Sequence, residues 1–353
     1  MTRLMLPKDP QLEMVSDLEE RVMPRFADTR HSIDRRTLLA GAAALTISST
    51  RSSANEFPDR PIKLVVPFGA GSIADIIARR TSEKASPLLG QSIFIENRPG
   101  AGGSIGAATV ATAPPDGYTL CLGTVASHSI AAAIVPRLPY DLLADFRPIA
   151  LLVSAWSLIV VNRSVPAQTL TEYLEYARKK GFSLYVSGGI ATTTHLIPEL
   201  IRARYNAPLE HVPAADVGKA FTDVLAGTVD MMCYPALALQ PHIQSGGVRA
   251  LAVASQHRVS SLPDVPTVVE ALGSNEFDLS SWFGVFSPGK TPDAIVNRLS
   301  SAFATAVLSI RDDLAKLGVE AQGWGPDRFD PFFRAEIPRW KEVVRVTGVA
   351  QAR

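Results

Sequence analysis

Between residues 62 and 254 short apolar runs alternate with amphipathic stretches, and small residues stand at the junctions. This alternation constrains the fold more than any other feature, because strand–helix–strand units imply parallel strands joined by right-handed crossovers. The first unit is a strand at 62–66 (IKLVV), a glycine-rich turn at 67–71, a helix at 72–88 and a strand at 93–96. Ser72 and Asp75 match the S-x-x-D/E capping pattern, and Ile73, Ile76 and Ile77 fall on one helical face. The loop 97–103 (NRPGAGG), a helix at 104–113, a turn at 114–117 and a strand at 118–122 continue the rhythm. Later pairs are helix 170–180 with strand 183–187, and helix 193–205 with strand 209–212. Helix 218–226 pairs with strand 229–233, and helix 236–245 with strand 249–254. The expected class is α/β, with helices on both faces of parallel sheets.

Two apolar runs, 149–153 and 158–161, almost touch in sequence, and a third, 282–286, comes much later. They mark two crossings between lobes joined by a two-strand hinge. Residues 55–157 and 281–353 then form lobe I and residues 158–280 lobe II. Helices at 292–308, 311–317 and 328–346 end the chain.

Upstream, Arg35-Arg36 precede the mild apolar run 38–47 (LLAGAAALTI), and Ser52-Ser53-Ala54 offers a small-residue cleavage site. At ~1.5 Å per residue that run covers about 15 Å, half of a ~30 Å hydrocarbon core, so it reads as an export signal and not an anchor. Paired arginines point to twin-arginine export, although Asp34 and Leu38 depart from the motif. The expectation is a signal over 1–54 and a mature periplasmic chain from Asn55. No later apolar run reaches the ~18 residues a membrane span needs, so the mature chain is not expected to be membrane-embedded. It carries 27 basic and 27 acidic residues, which argues against nucleic acid as a partner. Cys121 and Cys233 lie in strand-like runs, which favours buried thiols over a disulfide. No Cys/His cluster has metal-ligand spacing, and neither metal nor cofactor is expected.

Several motifs carry competing chemistry. Gly69-Ala70-Gly71-Ser72-Ile73-Ala74 reads G-x-G-x-x-A after a strand and before a helix, and Glu96 ends the next strand. That is the context of a dinucleotide fingerprint and of an NAD-dependent oxidoreductase. Export argues against it, and the same turn with free N–H groups at a helix start holds any anion. Gly102-Gly103-Ser104-Ile105-Gly106 matches G-x-S-x-G, but a loop and not a strand leads into it, so Ser104 is expected to cap the next helix. Ser187, Gly188, Thr192, Thr193, Thr194 and His195 gather hydroxyls and amides between a strand and a helix. They read either as a neutral carboxylate cradle or as a cap beside a core histidine. Thr124, Ser127 and His128 repeat the design after the strand at 118–122. Ligands of open α/β sheets sit at such carboxyl ends.

From Phe57 onward the chain resembles the periplasmic receptors of tripartite tricarboxylate transporters, often called the Bug family. The likeness rests on FPDRPIKLVVPF (57–68), ENRPGAGG (96–103), DGYTL (116–120), LPYDLLADF (138–146), TTHL (193–196), HVP (211–213), VRALAVA (248–254), LPDVPT (262–267) and Trp282-Phe283-Gly284. The resemblance implies a type II periplasmic binding protein that captures a small carboxylate and delivers it to inner-membrane permease subunits. It implies no catalysis. It also implies ligand contacts from Phe68, Gly69, Ala70, Gly71 and Asp75, from the Thr124–His128 loop, from the 187–195 segment, and from the region of Tyr234. An orphan receptor serving as the ligand sensor of a two-component kinase is the alternative. The sequence departs from the family where two prolines usually stand (Gly69, Ala70), where a second glycine is usual (Ser72), at Gly189-Ile190-Ala191, at Ala214-Ala215-Asp216 in place of Tyr-Lys-Gly, and at Tyr234 in place of an acid. Losing a cation and gaining apolar surface leads us to expect a less charged acid than citrate, an aromatic monocarboxylate.

Overall fold

The computed structural model describes residues 57–213, 217–259, 262–316 and 318–349. The export signal expected at 1–54, and the departures at Ala214, Ala215 and Asp216, lie outside the described residues. In chain order the strands are β1 (Ile62–Val66), β2 (Ile93–Asn97), β3 (Thr119–Thr124), β4 (Phe146–Ala155), β5 (Ser157–Asn162), β6 (Ser183–Val186), β7 (Leu209–Val212), β8 (Met231–Pro235), β9 (Val248–Val253), β10 (Ser281–Pro288) and β11 (Val319–Trp324). The α-helices are α1 (Ile73–Leu89), α2 (Ser104–Ala111), α3 (Ala131–Ile134), α4 (Leu170–Lys180), α5 (Thr193–Tyr205), α6 (Val217–Leu225), α7 (Ala236–Gln244), α8 (Val268–Leu272), α9 (Asp293–Ser309), α10 (Arg311–Lys316) and α11 (Pro326–Thr347).

Two sheets result. The first is ordered β11-β4-β10-β3-β1-β2 and the second β7-β6-β8-β5-β9. The chain leaves the first sheet at Ala155, enters the second at Ser157, and returns to the first at Ser281. Both sheets are mixed, which corrects the expectation of parallel sheets. β1 runs parallel to β2 and β3, but β10 is antiparallel to β3 and β4, and β5 is antiparallel to β8 and β9. A strand that arrives from the other sheet enters at the end where its neighbours finish, so it must run against them. β11, an edge strand antiparallel to β4, was not anticipated. Its sequence VEAQGW has little alternation, and Gly323 sits at φ 59 where the register slips.

Local signals set several boundaries. Thr169 accepts the Glu172 N–H at 3.1 Å to start α4, and Gly181 at φ 84 ends it. Tyr173, Leu174 and Ala177 bury its inner face. Leu158, Ile159, Val160 and Val161 of β5 are fully buried, and each such side chain contributes about 1.5–3 kcal/mol. Phe333, Ile337, Trp340 and Val344 of α11 belong to a core that includes Cys121 and Phe286 of the first sheet and Tyr185 and Cys233 of the second. The two cysteines are buried free thiols. Among the described residues no helix is long and apolar enough to cross a membrane.

Candidate functional site

Each sheet has a point where the connections leaving neighbouring strands diverge. β1 lies between β2 and β3, and β6 lies between β7 and β8. Crevices open at the carboxyl ends of such strands. The two crevices share a cavity of about 170 Å³. Phe68, Ser72, Ile73 and Ala74 line it from the segment after β1, and Thr124, Val125 and Ala126 from the end of β3. Thr192 and Thr193 come from the start of α5, and Ser281, Trp282 and Phe283 from the first residues of β10.

The loop after β1 is held from beneath. Asp75 is 3% exposed. Its Oδ2 accepts the Gly71 N–H and Arg79 Nε–H, both at 2.9 Å, and its Oδ1 accepts Asn97 Nδ2–H at 2.9 Å. Asn97 also donates to the Phe68 carbonyl at 3.0 Å, so the edge strand β2 fixes the loop. The hydrogen bond from Arg79 holds the Asp75 carboxyl well below its ordinary range, at about 2. Ser72 caps α1 by accepting the Asp75 N–H at 3.3 Å. Asp75 turns to Gly71 and not to the Ser72 amide, so the expected capping box is only half formed.

In the second sheet, Ser187 Oγ meets His211 Nε2 at 2.9 Å, and Gly188 N–H donates to Thr194 Oγ1 at 2.9 Å. Thr192 Oγ1 donates to the Gly189 carbonyl at 2.7 Å. His195 Nδ1 accepts the Ala191 N–H at 3.1 Å. The His195 and His211 rings lie 4.2 Å apart beside Tyr185. Burial lowers the pKa of both histidines, that of His211 to about 4. Tyr234 packs against Gly188, where an added Cβ would stand 3.0 Å from its ring.

After β3 the chain makes one wide turn at Ala126–Ile130. Thr124 N–H donates to Ser127 Oγ at 3.1 Å and Ser127 N–H to Thr124 Oγ1 at 3.3 Å. His128 lies behind them, wholly buried, its Nδ1 2.9 Å from Ser127 Oγ and its ring 4.4 Å from that of Phe286. Burial pushes His128 down to about 3, and its Nε2 has no hydrogen-bond partner.

The cavity is electrically simple. Among the described residues no Lys, Arg, Asp or Glu lines it. Trp282 points its indole N–H to Glu336, 3.0 Å away, and offers the cavity only ring surface. Positive potential comes instead from helix starts. Among the described residues the N–H groups of Ile73 and Ala74 on α1, and of Thr193 and Thr194 on α5, have no protein acceptor. Such first-turn groups bind anions.

Of the residues expected at the site, Phe68, Thr124, Thr192 and Thr193 line the cavity, and Gly69, Ala70 and Gly71 form the turn beside it. Asp75, Ser127, His128, Ser187, Thr194 and His195 are buried and outside the lining, and Gly188, exposed, and Tyr234, half-buried, are also outside it. Sequence reasoning missed Ser281, although the neighbouring Trp282-Phe283-Gly284 motif marked the segment, and missed Asn97 within ENRPGAGG. Two competing motifs lose their chemistry. Glu96 pairs with Lys63 at 3.3 Å and with Arg98, which accounts for its charge without a ribose. Ser104 is not the helix cap expected: Gly103 occupies that position, and Ser104 Oγ donates to the Ala101 carbonyl at 2.9 Å. Among the described residues no hydrogen bond joins Ser104 to a histidine.

Two mixed sheets opening their strand ends onto a shared cavity define the fold of a periplasmic binding protein. Residues 77–349 match the family model described as tripartite tricarboxylate transporter family receptor. A protein from the tcbD-tcbE intergenic region of Pseudomonas sp. (strain P51) is 38% identical over 318 residues, covering 89% of this chain and 94% of its own. A solved R. palustris protein with adipate superposes with a TM-score of 0.72 at 32% identity, covering 83% of this chain and 98% of its own. MatC from Rhodopseudomonas palustris, solved with bound malate, gives 0.69 at 33% identity, covering 82% and 100%. The chain belongs to the tripartite tricarboxylate transporter receptor family, whose members are binding proteins and not enzymes.

Proposed function

We propose that this chain is a periplasmic receptor that captures a small organic acid in the inter-sheet cavity and delivers it to the permease subunits of a tripartite transporter. Residues 1–54 serve as its export signal, of twin-arginine type. Residues 55–157 with 281–353, and residues 158–280, are the two lobes that close on the acid. One observation carries the reading: among the described residues, two helix starts, on α1 and α5, present unpaired N–H groups around a cavity lined by no charged side chain. Each charge-assisted hydrogen bond to a carboxylate contributes about 1.5–3 kcal/mol. Closure strengthens these bonds by excluding water, and the ligand's preference for the closed state drives it. The adipate and malate held by structural neighbours support an acid as the ligand class.

The lining also suggests which acid. Phe68, Ile73, Trp282 and Phe283 are apolar, and among the described residues no lysine or arginine lines the cavity to meet a second or third carboxylate. An aromatic monocarboxylate fits this balance better than citrate. Calorimetric titration with benzoate, substituted benzoates, adipate, malate and citrate tests both levels. Benzoates binding more tightly than citrate is the expected result. Tight citrate binding without benzoate binding removes the aromatic assignment, and no binding of any acid removes the receptor reading.

A further inference from the structure

Position for position, the loops that open α1 and α5 are built alike. Gly69-Ala70-Gly71-Ser72-Ile73-Ala74-Asp75 corresponds to Gly189-Ile190-Ala191-Thr192-Thr193-Thr194-His195. Ser72 N–H donates to the Gly69 carbonyl at 3.2 Å, and Thr192 N–H to the Gly189 carbonyl at 3.3 Å. Gly71 and Ala191 both hold left-handed backbone, at φ 79 and φ 61. Gly71 N–H then donates to Asp75 Oδ2 at 2.9 Å, and Ala191 N–H to His195 Nδ1 at 3.1 Å. An ordinary capping box returns the side chain at this third helical position to the amide of the capping residue. In both loops the glycine carbonyl has taken that amide, and the side chain reaches one residue further back. Three of seven positions carry matching chemistry, so the likeness is geometric.

The shared arrangement engages the amides of Gly71 and Ser72 in one loop and of Ala191 and Thr192 in the other, and among the described residues leaves those of the first two helical residues without an acceptor. Left-handed backbone costs a non-glycine residue roughly 1–2 kcal/mol, so Ala191 keeps its conformation only while something holds it. We infer that Asp75 and His195 are equivalent positioning residues: each pins the left-handed residue before its helix, so that the first-turn N–H groups aim at a carboxylate, and neither touches the ligand. The inference rests on the reading of the cavity as an organic-acid site. The two pins differ in charge. Asp75 is balanced by Arg79, whereas His195 must accept through an unprotonated Nδ1, among Tyr185, His211, Glu199 and Arg202.

Two substitutions separate positioning from contact. His195→Asn leaves an amide oxygen at the place of Nδ1. His195→Gln puts its amide at the place of Nε2 and leaves the Ala191 N–H without an acceptor. Calorimetry with benzoate, adipate and malate is combined with hydrogen exchange at residues 187–194 of the acid-free protein. The Asn variant should bind within about threefold of wild type, whereas the Gln variant should bind about five- to tenfold more weakly, with Ala191 exchange accelerated by a similar factor. The reverse pattern, Gln normal and Asn weakened, shows that His195 touches the ligand and overturns the inference. Wild-type affinity and exchange in both variants also overturn it. If no acid binds the wild type, the receptor reading fails while exchange still decides the pin: unchanged Ala191 protection in the Gln variant sinks it. Faster Gly71 exchange in Asp75→Leu is the matching result for the first loop, and protection unchanged there counts against the equivalence.

Discussion

The hydroxyls of Thr193 and Ser281 lie 2.9 Å apart and join the two sheets at the edge of the cavity. Thr193 is the first residue of α5 and Ser281 the first of β10, so one hydrogen bond links a helix start of the second sheet to the strand that returns to the first. Both residues line the cavity.

This bond should belong to the closed receptor. Thr193→Val and Ser281→Ala should each weaken acid binding about two- to tenfold, the worth of one hydrogen bond. The double variant should be no weaker than the worse single one, which a calorimetric double-mutant cycle reads directly. Fully additive losses would show that the two hydroxyls act separately.

Asp75 joins Gly71, Asn97 and Arg79, and its removal should be felt in two ways. Asp75→Ala should lower the melting temperature and weaken acid binding together, since the loop loses its anchor. The acid limb of stability should change as well. The folded carboxyl titrates at about 2 against an ordinary 3.8. The stabilisation is therefore complete above pH 3.8 and disappears as pH falls toward 2, roughly 2 kcal/mol in all. Chemical denaturation of wild type and variant between pH 5 and pH 2 should show the difference shrinking over that window.

His128 predicts a second acid transition at higher pH. Its pKa is lowered from 6.5 to about 3 by complete burial. The unfolded chain takes up this proton first, so stability is full above pH 6.5 and falls on acidification, by about 1.4 kcal/mol per pH unit down to about 3. His128→Leu should flatten the stability profile between pH 6.5 and pH 4 even if it lowers stability at pH 7.5. An unaltered slope would mean that another group carries the transition.

Charge selectivity should be reversible by one residue. Ile73 lines the cavity at the start of α1, and among the described residues the lining holds no lysine or arginine. Ile73→Lys should raise citrate affinity about tenfold and lower benzoate affinity, a charge-assisted bond gained at the expense of apolar contact. Competition between the two acids in one titration gives the ratio. A ratio unmoved by the lysine would argue that the acid lies elsewhere.

The parts of the fold legible from the chain were those governed by neighbours in sequence. Helices α4 and α5 span the expected residues because their apolar period and caps are local, as are the apolar runs of β1 and β7. Strand direction was not legible. β5 and β10 run against their parallel neighbours because of the sheet they come from, which no stretch of their own residues encodes. β11 pairs only at an edge, so it lacks the continuous apolar signal of a buried strand.

The site divides in the same way. Glycine-rich turns before capped helices, the mild neutral charge and the family motifs are properties of residue order, and they led to an anion-binding receptor. The assignment of residues to the cavity or to its support depended on long-range contacts. Asp75 faces Arg79 and Asn97, His195 faces Ala191 and Tyr185, and Ser281 meets Thr193 only after the chain has crossed between sheets and back. Hydrogen-bond chemistry can be read from a side chain, but its partner is set by packing of segments distant in sequence, and that is why only the folded molecule distinguished the groups open to a ligand from those already satisfied.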